Sequence, residues 1–234
     1  MKNEEFWARV IISDEEKKKS THFLRYRGVD EHEHVRQYIE SLKGEKVSYS
    51  EIATAFRYDK RIRRVLYKYI GLLEECVRAY ISNKYSDKTD ALNKTKVINR
   101  YLQTQPDLSY ALSELTFCEL IVQIKKLEKQ DLTELFPFYQ ASIDSLSTDL
   151  DAIVTLRNEV SHNRFLLDFK RLRKCSIGNG SYSLWANTIN LRNFLPDPFK
   201  KQFTKEINEC AEDKGTSFDN QTTWTLVKGF VITI

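Results

Sequence analysis

At 234 residues, with 41% hydrophobic and 30% charged positions but only 7 Gly and 4 Pro, the chain can bury a substantial core and reads as helix-rich and globular, which excludes a disordered polymer. The net charge of +4 is unevenly spread: Arg57 to Lys68 carries six basic residues against Asp59 alone, and Arg157 to Lys174 six against Glu159 and Asp168, a bias that favours a polyanionic partner. No apolar run approaches the roughly 18 residues of a membrane span, no basic-then-apolar leader opens the chain, and Cys76, Cys118, Cys175 and Cys210 form no CxxC pair, so the expectation is a cytoplasmic protein with reduced thiols and no membrane contact.

Ser13-Asp14-Glu15-Glu16 predicts an N-cap and a helix to about Arg27, stopped by Gly28. Asp30 reads as the cap of a second helix to about Leu42, ended by Gly44. Ser48-Tyr49-Ser50-Glu51 has the form of a capping box, opening a short helix through Phe56. From Asp59 to about Lys84 the apolar positions Ile62, Leu66, Tyr69, Ile70, Leu73, Val77 and Ile81 recur at steps of three and four without a proline, which predicts a long core helix. A helix near Thr89–Gln103 follows, then one over Ser109–Lys129 with Leu112, Leu115, Leu120, Ile124 and Leu127 inward. After the Phe136-Pro137 break, Ser142 to Val160 places Leu146, Leu150, Ile153 and Val154 on one face. Gly178-Asn179-Gly180-Ser181 reads as a turn, Asp197–Ala211 as a helix, and Trp224–Ile234 as a small strand or an irregular tail. The expected class is all-α, with an N-terminal helical extension over 1–47, a helical bundle over 48–175, and a C-terminal helix and tail over 176–234 packed on it.

The segment Leu156-Arg157-Asn158-Glu159-Val160-Ser161-His162-Asn163-Arg164 carries the most chemistry. A histidine moves protons near neutral pH, a guanidinium forks onto phosphate oxygens, and an amide orients one or the other, so Arg157, Asn158 and His162 are the groups a metal-free phosphoryl-transfer site would use. On an unbroken helix Asn158 and His162 share a face, while Arg157 lies roughly 140° around from His162. A working arrangement therefore needs the helix to end near Ser161, or Arg157 to reach around. The bare pattern Arg-x-x-x-x-His is weak, and it recurs at Arg27 to His32, where Gly28 and Asp30 read as a loop and a helix cap and no asparagine follows the arginine. The bland alternative for Arg157 and His162 is a salt-bridged helix end.

Other constellations are less informative. His32-Glu33-His34 would point its histidines about 200° apart on a helix, which reads as a solvated face and not a metal site. Glu74 and Arg78 are an i,i+4 pair, ordinarily a helix salt bridge. No Gly-rich phosphate loop, GxSxG elbow or paired-Asp cluster occurs, which argues against NTPases, serine hydrolases and two-metal nucleases.

Leu156 to Leu166, LRNEVSHNRFL, resembles the signature at the end of the catalytic helix in HEPN-domain ribonucleases, and the chain is similar to the AbiD/AbiF-like branch of bacterial abortive-infection proteins. Tyr58 to Ile81, YDKRIRRVLYKYIGLLEECVRAYI, resembles the family's first long helix, with Asp59, Arg63, Glu74 and Arg78 at matching places; Leu112 to Leu127, LSELTFCELIVQIKKL, resembles its middle helix. The resemblance covers roughly residues 48 to 170. The N-terminal fifty residues depart from the family's Tyr-rich opening, and the tail after about residue 175 matches nothing in it.

The resemblance implies a HEPN-like bundle acting as a metal-independent, cofactor-free endoribonuclease of an anti-phage, toxin-like system. A 2′-hydroxyl would attack the adjacent phosphate to leave a 2′,3′-cyclic phosphate and a 5′-hydroxyl. His162 would be general base or acid, Arg157 would hold the phosphate, and Asn158 would orient one of them. Glu74 and Arg78 would support the groove, and Arg61, Arg64, Lys68, Arg164, Lys170, Arg171 and Arg173 would contact RNA. One credible histidine per chain calls for a composite site in a two-fold homodimer. An antitoxin made of RNA or protein is a further implied partner. Two other readings stay open: a non-cleaving module that holds a structured RNA, and a pure interaction component of phage defence.

Overall fold

The computed structural model describes residues 3–86, 107–139, 141–168, 172–178, 180–212 and 230–234. Among these the chain is all-α: ten α-helices and one 3₁₀ turn, no strand, and a single isolated β-bridge between Ile11 and Ser48. The helix expected near Thr89–Gln103, residues Lys170 and Arg171, and much of the C-terminal tail lie outside the described residues. No described helix is long and apolar enough to cross a membrane.

The chain divides into two compact units, and α4 contributes to both. The first comprises Met1–Arg64, Phe165–Asp168 and Glu206–Thr233. It holds α1 (Asn3–Arg9), α2 (Asp14–Arg27), α3 (Val29–Lys43) and the start of α4 (Tyr49–Tyr85), with α1 and α2 both packed on α3. Ser13 caps α2 as expected, its Oγ accepting the Glu16 N–H at 3.2 Å, and Gly44 ends α3 in the left-handed conformation (φ 72°) that glycine adopts without steric cost. The second cap differs from expectation. Gly28, not Asp30, occupies the cap of α3, and Asp30 and Glu31 sit in its first turn, where carboxylates face the positive end of the helix dipole.

The core of this unit is aromatic: Trp7 against Tyr49 (5.1 Å between ring centres), His32 against Phe56 (4.9 Å) and Phe56 against Phe165 (5.8 Å). The solvated face expected of His32-Glu33-His34 is accordingly corrected for two of the three. His32 is buried, donates through Nδ1 to the Gly28 carbonyl at 2.9 Å, and has its imidazole pushed below its usual range by desolvation. Glu33 is buried and accepts from Arg36 Nε (2.8 Å), Arg9 Nη1 (2.9 Å) and Gln37 Nε2 (3.0 Å); chiefly through Arg36, its carboxyl is held down to about 2. Only His34 is exposed, its Nε2 3.1 Å from Asp168 Oδ2.

The capping box at Ser48 and Glu51 forms, with the Ser48 N–H donating to Glu51 Oε2 at 2.8 Å and the Glu51 N–H donating back to Ser48 Oγ at 3.3 Å. The helix it opens does not stop at Phe56; the two expected helices are one, α4. Tyr58 and Asp59, where the two expected helices meet, are fully buried and hydrogen-bonded in place. The Tyr58 hydroxyl accepts the Ile232 N–H at 2.8 Å, while Asp59 accepts the Leu166 N–H at 2.6 Å and the guanidinium of Arg63 one turn on. Burial pushes the Asp59 carboxyl up to about 6 despite Arg63 and Leu166, which pull it down.

The second unit comprises Val65–Arg164 and Phe169–Lys205, with Ile234. It holds the rest of α4, then α5 (Leu108–Ser113), α6 (Phe117–Ile124), α7 (Lys129–Leu135), the 3₁₀ turn Ile143–Ser145, α8 (Leu146–Ser161), α9 (Leu184–Phe194) and most of α10 (Asp197–Glu209). The single helix expected over Ser109–Lys129 is split. Thr116 and Glu119 form a reciprocal capping box, so the chain starts α6 anew instead of continuing α5. α8 packs against α6 and α9, and its Leu146, Leu150, Ile153 and Leu156 are all buried. Asp149, also buried on α8, accepts from the Tyr139 hydroxyl and the Ser176 N–H, both at 2.6 Å, and the Asn190 amide of α9 donates to its carbonyl at 2.9 Å.

Candidate active site

α8 is amphipathic up to its last turn, and the way it stops decides where the motif residues go. Ser161 is its final residue and His162 its C-cap, so the helix ends where a functional arrangement needs it to end. The stop is a Schellman cap. Asn163 takes the left-handed conformation (φ 55°), its N–H donates to the Val160 carbonyl at 3.2 Å, and the Arg164 N–H donates to the Glu159 carbonyl at 3.2 Å. Asparagine tolerates this backbone better than any other non-glycine residue type. The Arg164 guanidinium then closes on Glu159 Oε1 at 2.6 Å. Glu159, Asn163 and Arg164 are therefore the scaffold of the helix end, a role missed in the sequence although an asparagine just beyond a helix is a recognised cap signal. Arg164 was expected to contact RNA; it stays half-exposed, but it spends its charge on Glu159.

The three expected catalytic residues are left facing outward. His162 and Asn158 are exposed and one turn apart, the His162 N–H donating to the Asn158 carbonyl at 2.9 Å, and no described residue hydrogen-bonds the His162 ring. Arg157 is half-buried, with Nη1 3.5 Å from Asn158 Oδ1, a loose contact that leaves most of its donors available. The structure thus brings Arg157 to Asn158 and stacks Asn158 below His162. The helix stays regular through Ser161, so the 140° or so between Arg157 and His162 has to be bridged by the length of the arginine side chain or by a second protomer. Among the described residues no carboxylate pairs with His162, and the ion pair at this terminus is Arg164–Glu159.

The remaining candidates differ in availability. Arg64 and Lys68 are exposed on α4, with Lys68 Nζ 4.8 Å from the centre of the Tyr69 ring. Arg61 donates to the Glu212 carbonyl. Arg63, in the same basic run, is buried on Asp59, so that run is not a uniform solvated face. Arg173 is exposed, its only ion pair among the described residues a distant one with Asp151 at 3.9 Å, and Lys170 and Arg171 lie outside the described residues. Glu74 and Arg78 do pair, and Arg78 also donates to the Leu115 carbonyl at 2.7 Å, which ties α4 to the α5–α6 junction. That is a brace within the second unit, stronger than a surface i,i+4 pair because it satisfies a backbone carbonyl. Among the described residues no three His, Cys, Asp or Glu side chains gather as metal ligands would, and the four cysteines are free thiols. No family model, curated protein or solved structure matches this chain.

Proposed function

We propose that the chain is a metal-independent endoribonuclease whose reactive groups are Arg157, Asn158 and His162. The observation that carries this reading is the end of α8. A cap built from Glu159, Asn163 and Arg164 holds the turn, and the histidine at its tip is left exposed with no hydrogen-bonding partner for its ring among the described residues. Structural histidines are normally satisfied, as His32 is in this same chain. The sequence resemblance to HEPN-type abortive-infection proteins supplies the reaction class.

In that reaction an RNA 2′-oxygen forms a bond to the adjacent phosphorus and the 5′-oxygen leaves. One proton is taken from the 2′-hydroxyl and one is given to the leaving oxygen. His162 exchanges one of these protons, Arg157 neutralises charge on the non-bridging oxygens, and Asn158 fixes the histidine or the phosphate. The test is RNA cleavage in EDTA by wild type and His162→Ala. Cleavage is expected from wild type and a loss of about 10²–10⁴-fold from the variant, with an unchanged circular dichroism spectrum. Undiminished activity in His162→Ala, or activity only on addition of Mg²⁺, overturns the mechanism.

A second reading has one observation in its favour: the cap alone accounts for half the motif without any chemistry. On that reading the chain holds an RNA without cutting it. Tight binding by wild type of an RNA that stays intact for hours selects this alternative.

A further inference from the structure

The N-terminal helix α2 carries a surface that none of the residues above uses. Ser20 and Leu24 are its buried positions, so by helical geometry its outward face is Lys18, Lys19, His22, Phe23, Arg25 and Tyr26. Two of these are large aromatics left in water: Tyr26 is 79% exposed and Phe23 49%. The His22 ring lies 3.9 Å from that of Phe23 and 6.1 Å from that of Tyr26, centre to centre. Cations flank the rings on both sides. Lys19 is paired with Glu15 at 2.9 Å, and after Glu16 the helix contains no acidic residue.

A solvated helix face is ordinarily charged and poor in large apolar groups, and Phe23 and Tyr26 forgo on it the burial that a core would give them. Their exposure therefore asks for an occupant. A bilayer is a poor one: Leu24 faces inward, so Phe23 and Tyr26 alone would have to anchor the helix. The occupant with matching chemistry offers π-faces at intervals along a negatively charged strand, which is single-stranded nucleic acid.

We propose that the outward face of α2 is a stacking platform for single-stranded RNA, with bases on Tyr26, His22 and Phe23 and phosphates on Lys18 and Arg25. This rests on RNA being the polyanion that the chain handles. It adds a binding site remote in sequence from the α8 motif.

The test uses the full chain and a 2′-O-methyl oligouridine, which lacks the attacking hydroxyl and so reports binding alone, in EDTA over a salt series. Phe23→Ala/Tyr26→Ala is expected to weaken binding about tenfold or more with little change in salt slope, and Tyr26→Phe to bind as wild type does. Lys18→Glu/Arg25→Glu is expected to weaken binding and to flatten the salt slope by about one to two. A duplex of the same length should not sense the aromatic substitutions.

Affinity unchanged in both double variants overturns the proposal, as does a wild type that ignores the oligouridine. Capture of phosphatidylserine vesicles through these residues in place of RNA overturns it too. Cleavage of unmodified RNA is read in parallel. Wild type that cuts while the α2 variants bind normally sinks the platform and spares the ribonuclease reading; wild type that binds through α2 and cuts nothing does the reverse.

Discussion

Glu33 is a carboxylate taken almost wholly out of water and given back four donors, two from Arg36 and one each from Arg9 and Gln37. Its folded pKa is depressed, to about 2 from 4.5, so its contribution to stability is fully present above about pH 4.5 and is lost as pH falls toward 2. Glu33→Gln should cost about 1–3 kcal/mol at pH 7, because Arg36 and Arg9 keep their charge and lose its partner. The difference from wild type should shrink as pH falls from 4.5 toward 2, and urea midpoints at pH 7, 4 and 3 measure it; a difference that is constant with pH contradicts the assignment. Asp59 acts in the opposite sense. Its raised pKa makes stability fall as pH rises from about 4 to about 6, and this is why the comparison with Glu33→Gln, not the wild-type curve alone, isolates Glu33. At this scale the sequence was legible where a residue's chemistry is local, as at Ser13, Gly44 and the Ser48–Glu51 box. It was opaque where burial decides: nothing in His32-Glu33-His34 announces that two of the three are enclosed by Phe6, Tyr49, Phe56 and Arg36.

Helix ends were read well where glycine or a capping hydroxyl marks them, and less well inside the long elements. The division drawn before Asp59 fails because Arg63, one turn on, neutralises it within the same helix. The continuity drawn through Leu115 fails because apolar periodicity was preferred to the Thr116-x-x-Glu119 box printed in the sequence. α9 went unrecognised altogether. Its buried face includes Asn187, Thr188 and Asn190, so the hydrophobic period is broken; their side-chain donors go to the Arg173, Leu184 and Asp149 carbonyls, while the Asn187 and Asn190 side-chain oxygens have no partner among the described residues. Replacing Asn190 by Leu should accordingly destabilise the second unit by about 1–3 kcal/mol, since the Asp149 carbonyl loses its donor; a chain of unchanged thermal stability would show that this bond contributes nothing. The α8 cap makes a sharper case. Asn163→Gly should be neutral or mildly stabilising and keep cleavage, whereas Asn163→Val should cost about 1–2 kcal/mol and lower cleavage with it, because a β-branched residue resists φ near 55° and the turn presenting His162 shifts. Equal stability of the two variants would remove the cap from the explanation of the site.

For the chain as a whole, the all-α class was legible because low Gly and Pro content and a strong three-four apolar rhythm leave little alternative, and the Asp59–Lys84 pattern sits within one continuous helix. The candidate site was legible as residue types and not as geometry: whether Arg157 and His162 act together depends on how α8 ends and on what faces it. Each chain offers one exposed histidine in the motif, whereas 2′-hydroxyl attack moves one proton at the nucleophile and another at the leaving group. The proposed remedy is a two-fold dimer in which each protomer supplies one of the two groups. Such a site has a quantitative signature that a self-contained site lacks. If wild type and His162→Ala are co-expressed in equal amounts and exchange freely, both-wild-type dimers make up about a quarter of the population, and cleavage should fall to about that level, not to half. Light scattering at micromolar concentration should give the mass of two chains. A linear fall to about half, from a protein with the mass of one chain, would mean that the second proton is handled within the protomer or by water, and the composite site would have to be abandoned while His162 kept its role.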